Sequence, residues 1–155
     1  MAMCNNDAEP FADAIEMLKA DHQRVRDLFQ QYQAARDFPT KRHIAELVFL
    51  ELETHAQLEE MVFYPAVEAE TEEEGQELVE DAREEHQEVK ALIAALRRTE
   101  EGEFDRQFQF LMTQVEYHVQ EEEDAMFPLA EAALAEDTAE LADDMQAAKQ
   151  QILAS

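Results

Sequence analysis

An internal repeat is the feature that most constrains how this chain of 155 residues can fold. His55 is followed by Gln at +2, Glu at +4 and +5, an aromatic residue at +9 and Pro at +10. The same residue types follow His118, which lies 63 positions later. The stretch that begins at His22 recurs from His86 with an offset of 64. Four of the five histidines therefore form two equivalent pairs, as expected of a duplicated pair of helices.

Composition and the spacing of apolar residues both predict an all-α chain. Gly 2 and Pro 4 are few, whereas the good helix formers Ala, Glu, Gln and Leu are abundant. Apolar residues recur at three- and four-residue steps in four long segments: about 11–36, about 41 toward Pro65, about 71–99 and about 104–127. Short connections between long helices favour antiparallel neighbours, so we expect an up-down-up-down four-helix bundle over residues 11–133.

The segments at the ends and between the helices are also predicted. Residues 1–10 are expected to be a flexible N-terminus, and Phe38-Pro39-Thr40 is expected to separate the first two helices. Thr71 followed by Glu74 indicates a capping box at the start of the third helix. A shorter apolar stripe predicts a C-terminal helix over residues 137–153, which we expect to pack across the bundle; a dimer contact is the alternative. Its apolar residues are Leu141, Met145, Ala148 and Ile152.

The charge balance and the single cysteine exclude several classes of function. Asp+Glu 38 against Lys+Arg 12 gives a formal net charge of −26, which repels nucleic acid and anionic lipid. Cys4 is the only cysteine, so an intrachain disulfide is impossible and nothing indicates an oxidising compartment. The first residues do not resemble a secretory signal, and no apolar run approaches the ~18–20 residues of a membrane span. We expect a soluble cytoplasmic protein without nucleic-acid or membrane partners, either a monomer or a weak homodimer.

A histidine and a glutamate one helical turn apart occur in both halves of the repeat. Residues four apart share a helix face, so each pair is expected to point into the bundle. The other two helices add one histidine each, and bundle cores are where metal sites are built from facing helices. The predicted ligands are His22, His55, Glu59, His86, His118 and Glu122. Four imidazoles and two carboxylates suit iron, manganese or zinc, and two glutamates that can each bridge favour a dinuclear centre.

Several neighbouring residues leave alternatives open. Glu123, five residues after the histidine of the fourth helix, is the alternative ligand to Glu122. Otherwise Glu60, Glu121 and Glu123 are expected on a solvated acidic face. His43 has no counterpart in the repeat, so we interpret it as a surface or helix-start residue.

Other residues are expected to surround the ligands. Partners for the outward imidazole N–H groups should exist; the candidates are Asp21, Glu85, Gln57 and Gln120. Tyr64 and Tyr117 are interpreted as core aromatics, with a hydrogen bond to a metal-bound ligand as the alternative. Apolar residues three, four or seven positions from a ligand predict a dry shell that favours an uncharged small ligand such as dioxygen. They are Leu18, Val25, Phe29, Val48, Leu52, Val62, Val89, Ile93, Leu111 and Val115.

The motif set resembles the hemerythrin-like, or HHE cation-binding, domain family over about residues 11–133. The resemblance rests on His22, on His55 to Glu59 with the Phe63-Tyr64-Pro65 tail, on His86, and on His118 to Glu122 with Phe127-Pro128. It implies a four-helix bundle that holds two Fe ions in a non-haem di-iron centre with an oxo or hydroxo bridge. Glu59 and Glu122 would be the bridging carboxylates. It also implies roles in O2 binding, in sensing of O2 or iron, or in handling of peroxide or nitric oxide.

This chain departs from the O2-carrying hemerythrins that it resembles. Those carriers use a fifth histidine one turn after the third, where this chain has Lys90, and they end their last motif with Asp where this chain has Glu. A four-histidine site leaves coordination positions for water, an exogenous ligand or another protein oxygen. We therefore expect a protein that binds or reacts with O2, peroxide or nitric oxide. Iron or O2 sensing, or storage without turnover, is the alternative.

A peroxide- or nitric-oxide-consuming enzyme is also left open. Ferritin-like oxidase chemistry is disfavoured, because those bundles use Glu-x-x-His and no histidine of the repeat has Glu three residues before it. The residues at those positions are Lys19, Leu52, Arg83 and Val115.

Overall fold

The structure, a computed structural model, describes residues 13–154, and its regular secondary structure is entirely helical. The elements are α1 (Ala14–Ala34), α2 (Phe38–Leu58), π1 (Glu59–Phe63), α3 (Tyr64–Glu70), α4 (Glu73–Arg97), α5 (Glu101–Glu121), π2 (Glu122–Met126), α6 (Phe127–Ala133) and α7 (Thr138–Ala154). Because α2, π1 and α3 are continuous, as are α5, π2 and α6, the chain forms four long helical rods and a C-terminal helix. The predicted all-α four-helix bundle with an added C-terminal helix is confirmed. The predicted flexible N-terminus, residues 1–10, lies outside the described residues.

Aspartates begin the first two helices. The side chains of Asp13 and Asp37 each accept a backbone N–H from three residues further on, at 2.8 and 2.9 Å. Each bond satisfies an N–H that has no partner within its helix. Pro39 lies in the first turn of α2, where its missing N–H removes no helical bond. The predicted interruption at 38–40 is therefore wrong, and the chain breaks at 35–37 instead.

The start of α4 also differs from the prediction. Thr71 donates its hydroxyl to the carbonyl oxygen of Val67 at 2.6 Å, which closes α3, and Glu72 precedes α4. The predicted capping box of Thr71 with Glu74 is wrong, because the hydroxyl is used by the preceding helix. A Cβ added at Gly75 would lie 2.0 Å from Thr71 Oγ1, so glycine at this position lets the two segments pack closely.

Two π turns occupy equivalent places in the repeat, immediately after the helices that carry the His-to-Glu motifs. In π1 the backbone N–H of Tyr64 donates to the carbonyl of Glu59, five residues earlier, and π2 has the equivalent bond. Pro65 and Pro128 are the second residues after the two turns. A proline has no N–H to donate, and its ring crowds the carbonyl four residues earlier, so a wider turn accommodates it. The repeated prolines were the sequence signal for these turns, which the pattern of apolar residues did not reveal.

The apolar core divides at the level of the ligand histidines. On α1, Leu18 belongs to the cluster that includes Phe63, Phe127 and buried residues of α7. Val25, on the other side of His22, belongs to a second cluster rich in aromatic side chains. The same change of cluster occurs along the other three rods, so the histidines lie where the two clusters meet.

The C-terminal helix α7 packs on α1, α2 and π1. Its buried residues are Ala142, Met145 and Ala148, and the last two join the cluster around Phe127. The C-terminal helix therefore packs across the bundle, as expected. Within residues 13–154, no helix combines the length and the hydropathy that a membrane crossing requires.

Candidate metal centre

The six predicted ligand residues meet in the middle of the bundle, where the four rods face one another. All six are buried, with Glu59 fully inaccessible and none more than 8% exposed. They form two groups, His22, His55, Glu59 and Glu122, and Glu59, His86, His118 and Glu122. Within each group, one ligand atom from every residue lies within 4.8 Å of the others. Either group could hold a metal ion, and the two groups share both glutamates.

Each shared glutamate turns one carboxylate oxygen toward each half of the repeat. Oε2 of Glu59 lies 3.2 Å from Nε2 of His55, and its Oε1 lies 3.0 Å from Nε2 of His86. Oε1 of Glu122 lies 3.1 Å from Nε2 of His22, and its Oε2 lies 3.3 Å from Nε2 of His118. The two oxygens of either carboxylate can thus serve different ions, which is the arrangement of a bridging ligand.

Every histidine of the centre has a carboxylate at its outward nitrogen, Nδ1. A proton on Nδ1 that is donated to a carboxylate leaves the Nε2 lone pair directed at the centre, as in carboxylate–histidine–metal arrangements. The pairs are His22 with Glu123 at 2.8 Å, His55 with Asp21 at 2.9 Å, His86 with Glu60 at 2.6 Å and His118 with Glu85 at 2.6 Å.

The outer carboxylates come from two repeated positions. Asp21 and Glu85 each precede a histidine, and both were among the predicted partners. Glu60 and Glu123 each follow a bridging glutamate, and the structure places both at outward imidazole nitrogens. The expected solvated position is therefore wrong for these two side chains, and Glu123 does not occupy the place of Glu122. The signal that could have revealed them is the recurrence of Glu at +5 in both motifs.

Tyr64 reaches the centre from the first turn of α3. Its buried hydroxyl lies 2.5 Å from Oε2 of Glu122, 2.9 Å from Oε1 of Glu59 and 3.2 Å from Nε2 of His86. The π turn explains this position, because its wider turn brings Tyr64, five residues after Glu59, onto the same face of the rod as that glutamate. Of the two interpretations of Tyr64, the structure therefore shows the one with a hydrogen bond at the centre. The equivalent residue in the repeat, Phe127, has no hydroxyl, so the two halves of the centre differ.

Four other residues that the sequence singled out lie away from the centre. Tyr117 is 59% exposed, so its interpretation as a core aromatic is wrong. His43 is exposed on α2, as expected. Gln120 donates to Asp124 at 3.3 Å, and Gln57 is an exposed residue at the edge of a cavity.

Burial and charge shift the pKa values of the ligands in opposite senses. Burial tends to lower the pKa of His55, but the charge of Glu59 and the hydrogen bond with Asp21 outweigh it, and the pKa is raised well above its ordinary value. Burial and the charge of Glu122 act in the same way on His118, with the same net direction. Burial tends to raise the pKa of Glu59, but its histidine neighbours hold it well below the ordinary value. Without a metal, His55 and His118 therefore tend to hold a second proton beside the carboxylates, and a bound cation would displace it.

Three polar atoms test whether a metal fits these residues. Nε2 of His55, Oε2 of Glu59 and Nε2 of His118 have no hydrogen-bond partner among the described residues. A buried polar group without a partner costs about 1–3 kcal/mol. When Nδ1 of each histidine carries the proton, all three atoms are acceptors, and one cation in each of the two ligand groups would coordinate them. The donor set therefore fits a metal ion.

Asp21 connects the centre to the C-terminal helix. Its Oδ2 bonds to Nδ1 of His55, while its Oδ1 faces Arg24 and lies 3.4 Å from Nζ of Lys149 on α7. Burial tends to raise the pKa of Asp21, but His55 and the two cations lower it. Glu85, the equivalent carboxylate, has no basic partner besides its histidine among residues 13–154. The outer carboxylates of the two halves therefore differ in charge environment.

A cavity of about 350 Å³ adjoins the four histidines. Its lining runs from these buried side chains past apolar residues, among them Leu52 and Val89, to the exposed residues Gln57 and Lys90. The centre is therefore reachable by a small molecule from the protein surface. Lys90, an exposed residue of α4, lines this route.

Comparison with known proteins places the chain in one family. The family model described as hemerythrin HHE cation binding domain matches residues 13–130. An uncharacterised hemerythrin-like protein from Schizosaccharomyces pombe is 31% identical over 119 residues, which cover 76% of this chain but 59% of that relative's length. The crystal structure of a hemerythrin HHE cation binding domain-containing protein from Mycobacterium kansasii matches with a TM-score of 0.78 and 26% identity, over 91% of this chain and 87% of that one. The chain belongs to the hemerythrin HHE cation-binding domain family.

Proposed function

We propose that this chain is a non-haem di-iron protein that binds or reacts with O2, peroxide or nitric oxide. The observation that carries the proposal is the orientation of Glu59 and Glu122, each with one oxygen toward the histidine pair of either half. His22 and His55 would hold one iron, and His86 and His118 would hold the other. When bound, two irons joined by an oxo or hydroxo group and both carboxylates would supply redox chemistry and an open coordination position.

The charge of the centre supports a pair of cations. With neutral imidazoles, the two bridging carboxylates and the four outer ones would leave six negative charges near one another, with few basic groups beside them. The bridging carboxylates are Glu59 and Glu122, and the outer ones are Asp21, Glu60, Glu85 and Glu123. Buried anions are found with paired charges or metals, because burying them unpaired is very unfavourable. Two divalent or trivalent ions would offset most or all of this charge.

The chain's own residues would perform three tasks around the ions. The outer carboxylates would hold the imidazole rings so that Nε2 faces the centre. Tyr64 would donate its proton to a bridging carboxylate, or to an oxygen atom of a small ligand. The apolar walls, including Val25, Leu52 and Ile93, would exclude water from the site.

Small neutral oxidants fit the access route. The apolar lining admits uncharged molecules, and Lys90 leaves one coordination position without a protein imidazole. A reversible O2 or iron sensor without turnover is the second candidate, because the same open position would serve binding alone. The proposal includes a cytoplasmic location and a monomer or weak homodimer.

Metal analysis with spectroscopy tests the proposal. We expect about two irons per chain, and near-ultraviolet absorption that changes when azide is added, because an open position would accept the anion. His118→Ala should lose iron, whereas His43→Ala, at an exposed histidine, should retain it. Equal iron contents in these two variants, or no more than trace metal in the original protein, would refute the di-iron centre.

Kinetic measurements separate an enzyme from a sensor. An enzyme should consume peroxide or nitric oxide faster than free iron does, and His118→Ala should abolish the difference. A sensor should form an O2 or nitric oxide adduct that is released unchanged. Irreversible oxidation after a single exposure to air would count against reversible O2 binding.

A further inference from the structure

The cavity beside the histidines is much larger than the diatomic molecules and peroxide considered above. Its volume is about 350 Å³, roughly ten times the ~30 Å³ that one water molecule takes up in the liquid. Two metal ions and a bridging oxygen would fill only a small part of it. Pockets of about 300–1,000 Å³ with mainly apolar walls and a few polar groups are typical of sites for organic molecules.

The walls of the cavity are mainly apolar and come from all four long rods. Val25 lies on α1, Leu52 on α2, Val89 and Ile93 on α4 and Val115 on α5. Each is a branched aliphatic side chain without a hydrogen-bonding group. Between the histidines and the surface, this lining suits a hydrocarbon body.

Lys90 is the lysine that lines the cavity. It has no ion pair or hydrogen bond among residues 13–154. The neighbouring carboxylates of the lining are already engaged, Glu53 with Arg97 at 3.0 Å and Glu60 with His86 at 2.6 Å. In a chain with 38 acidic and 12 basic residues, a basic side chain free of acidic partners beside a cavity is available for an anion from solution.

We propose that this cavity binds an organic carboxylate with an aliphatic body of roughly six to ten carbon atoms, a size set by the cavity volume. Its carboxylate contacts Lys90 at the surface, and its aliphatic body extends between Leu52, Val89 and Val115 toward the histidines. In the opposite orientation the carboxylate would lie at the histidines and Lys90 would not contact it, so the Lys90 variant below distinguishes the two orientations. This proposal goes beyond the handling of small oxidants and does not depend on which metal is bound.

Isothermal titration calorimetry of the metal-loaded protein tests the proposal with octanoate, 1-octanol and acetate. We expect saturable binding of one octanoate per chain. Acetate has the carboxylate without the body, so it should bind at least tenfold more weakly. Acetate binding as tightly as octanoate would show direct coordination to the metal and overturn the proposal, as would the lack of saturable octanoate binding.

Two pairs of variants test the two ends of the ligand. Lys90→Gln should weaken octanoate binding about fivefold, the factor that an exposed ion pair supplies, and leave 1-octanol unchanged. Lys19→Gln, at an exposed lysine outside the cavity lining, is the control and should leave both unchanged. Val89→Phe should fill the cavity and reduce octanoate affinity at least tenfold, whereas Leu50→Phe, exposed on α2, should not.

The iron content and the thermal unfolding of every variant are measured beside the calorimetry. A Lys90→Gln or Val89→Phe protein that keeps its iron and its melting temperature but binds octanoate like the original protein overturns the proposal. If the original protein holds no iron but still binds octanoate, only the di-iron proposal is refuted. The failures of the two proposals are therefore distinguishable.

Discussion

Replacement of Tyr64 by Phe would remove a single hydroxyl group from the middle of the centre. The ring is fully buried, and the hydroxyl lies 2.5 Å from Oε2 of Glu122 and 2.9 Å from Oε1 of Glu59. Phe already occupies the equivalent position, 127, in the other half of the repeat, where its ring stacks on His22 with centroids 5.7 Å apart. The substitution therefore preserves the packing and tests the hydrogen bonds alone.

The expected magnitude follows from the geometry. Burial and the charges of Glu122 and Glu59 raise the pKa of Tyr64 well above its ordinary value, so the hydroxyl stays protonated and donates. It has one proton, so we count one bond to a charged acceptor, which contributes about 1.5–3 kcal/mol. In a chain of this length, 1 kcal/mol shifts the melting temperature by roughly 2–4 °C, so Tyr64→Phe should lower it by roughly 3–12 °C.

Tyr32→Phe is the matched control. The hydroxyl of Tyr32 donates to Oδ1 of Asp105 at 3.1 Å, and the Asp105 side chain is 55% exposed, so its loss should lower the free energy of unfolding by only about 0.5–1 kcal/mol. Circular dichroism of the chelator-treated proteins at pH 6 gives both melting temperatures. With iron bound, the loss from Tyr64→Phe should shrink, because the two glutamates would then coordinate metal.

A Tyr64→Phe protein as stable as the original, or a decrease no larger than that of Tyr32→Phe, would refute the reasoning. Either result would mean that the hydroxyl does not share a proton with buried carboxylates. A larger loss in the iron-loaded form than in the metal-free form would likewise contradict it.

Three further predictions concern metal binding and pH. Without metal, the free energy of unfolding should fall as pH rises above 6.5. The folded state raises the pKa of His55 and His118, so their contribution to stability is complete below the pKa of the unfolded chain and is lost at higher pH. Urea titrations that give a constant free energy of unfolding above pH 6.5 would contradict this. Metal affinity, measured by competition with a chelator, should rise over the same range, since cations displace those protons. Lys149→Met should weaken metal binding several-fold by releasing Asp21, and Lys149→Arg should restore it; equal affinities for the two variants would argue against a role for this cation.

The sequence predicted the centre well because the helical period determines which side chains share a face. His55 and Glu59 are one turn apart, and α2 is regular up to Leu58, so both point inward as the pattern indicated. The duplication supplied the remaining ligands without knowledge of the packing. The limits of the helices were less predictable, since Pro39 is compatible with a first helical turn and Thr71 could bond to either neighbouring helix.

Contacts between different rods could not be predicted from spacing. Glu60 reaches His86 on α4, and Glu123 reaches His22 on α1, because π turns shift the residues that follow each bridging glutamate. The entry of Tyr64 into the centre has the same cause. A helical pattern with a uniform period places these side chains on the outside.

The sequence by itself determined the class of fold and the ligand set of this protein, because the periodicity and the repeat are local properties of the chain. Only the tertiary structure decided how the ligands are shared and supported. The bridging orientation of Glu59 and Glu122, the link from Asp21 to Lys149 and the cavity beside Lys90 each require side chains from different rods at defined distances. Those distances depend on how the rods pack and on two prolines that widen a single turn, and no pattern within one helix specifies them.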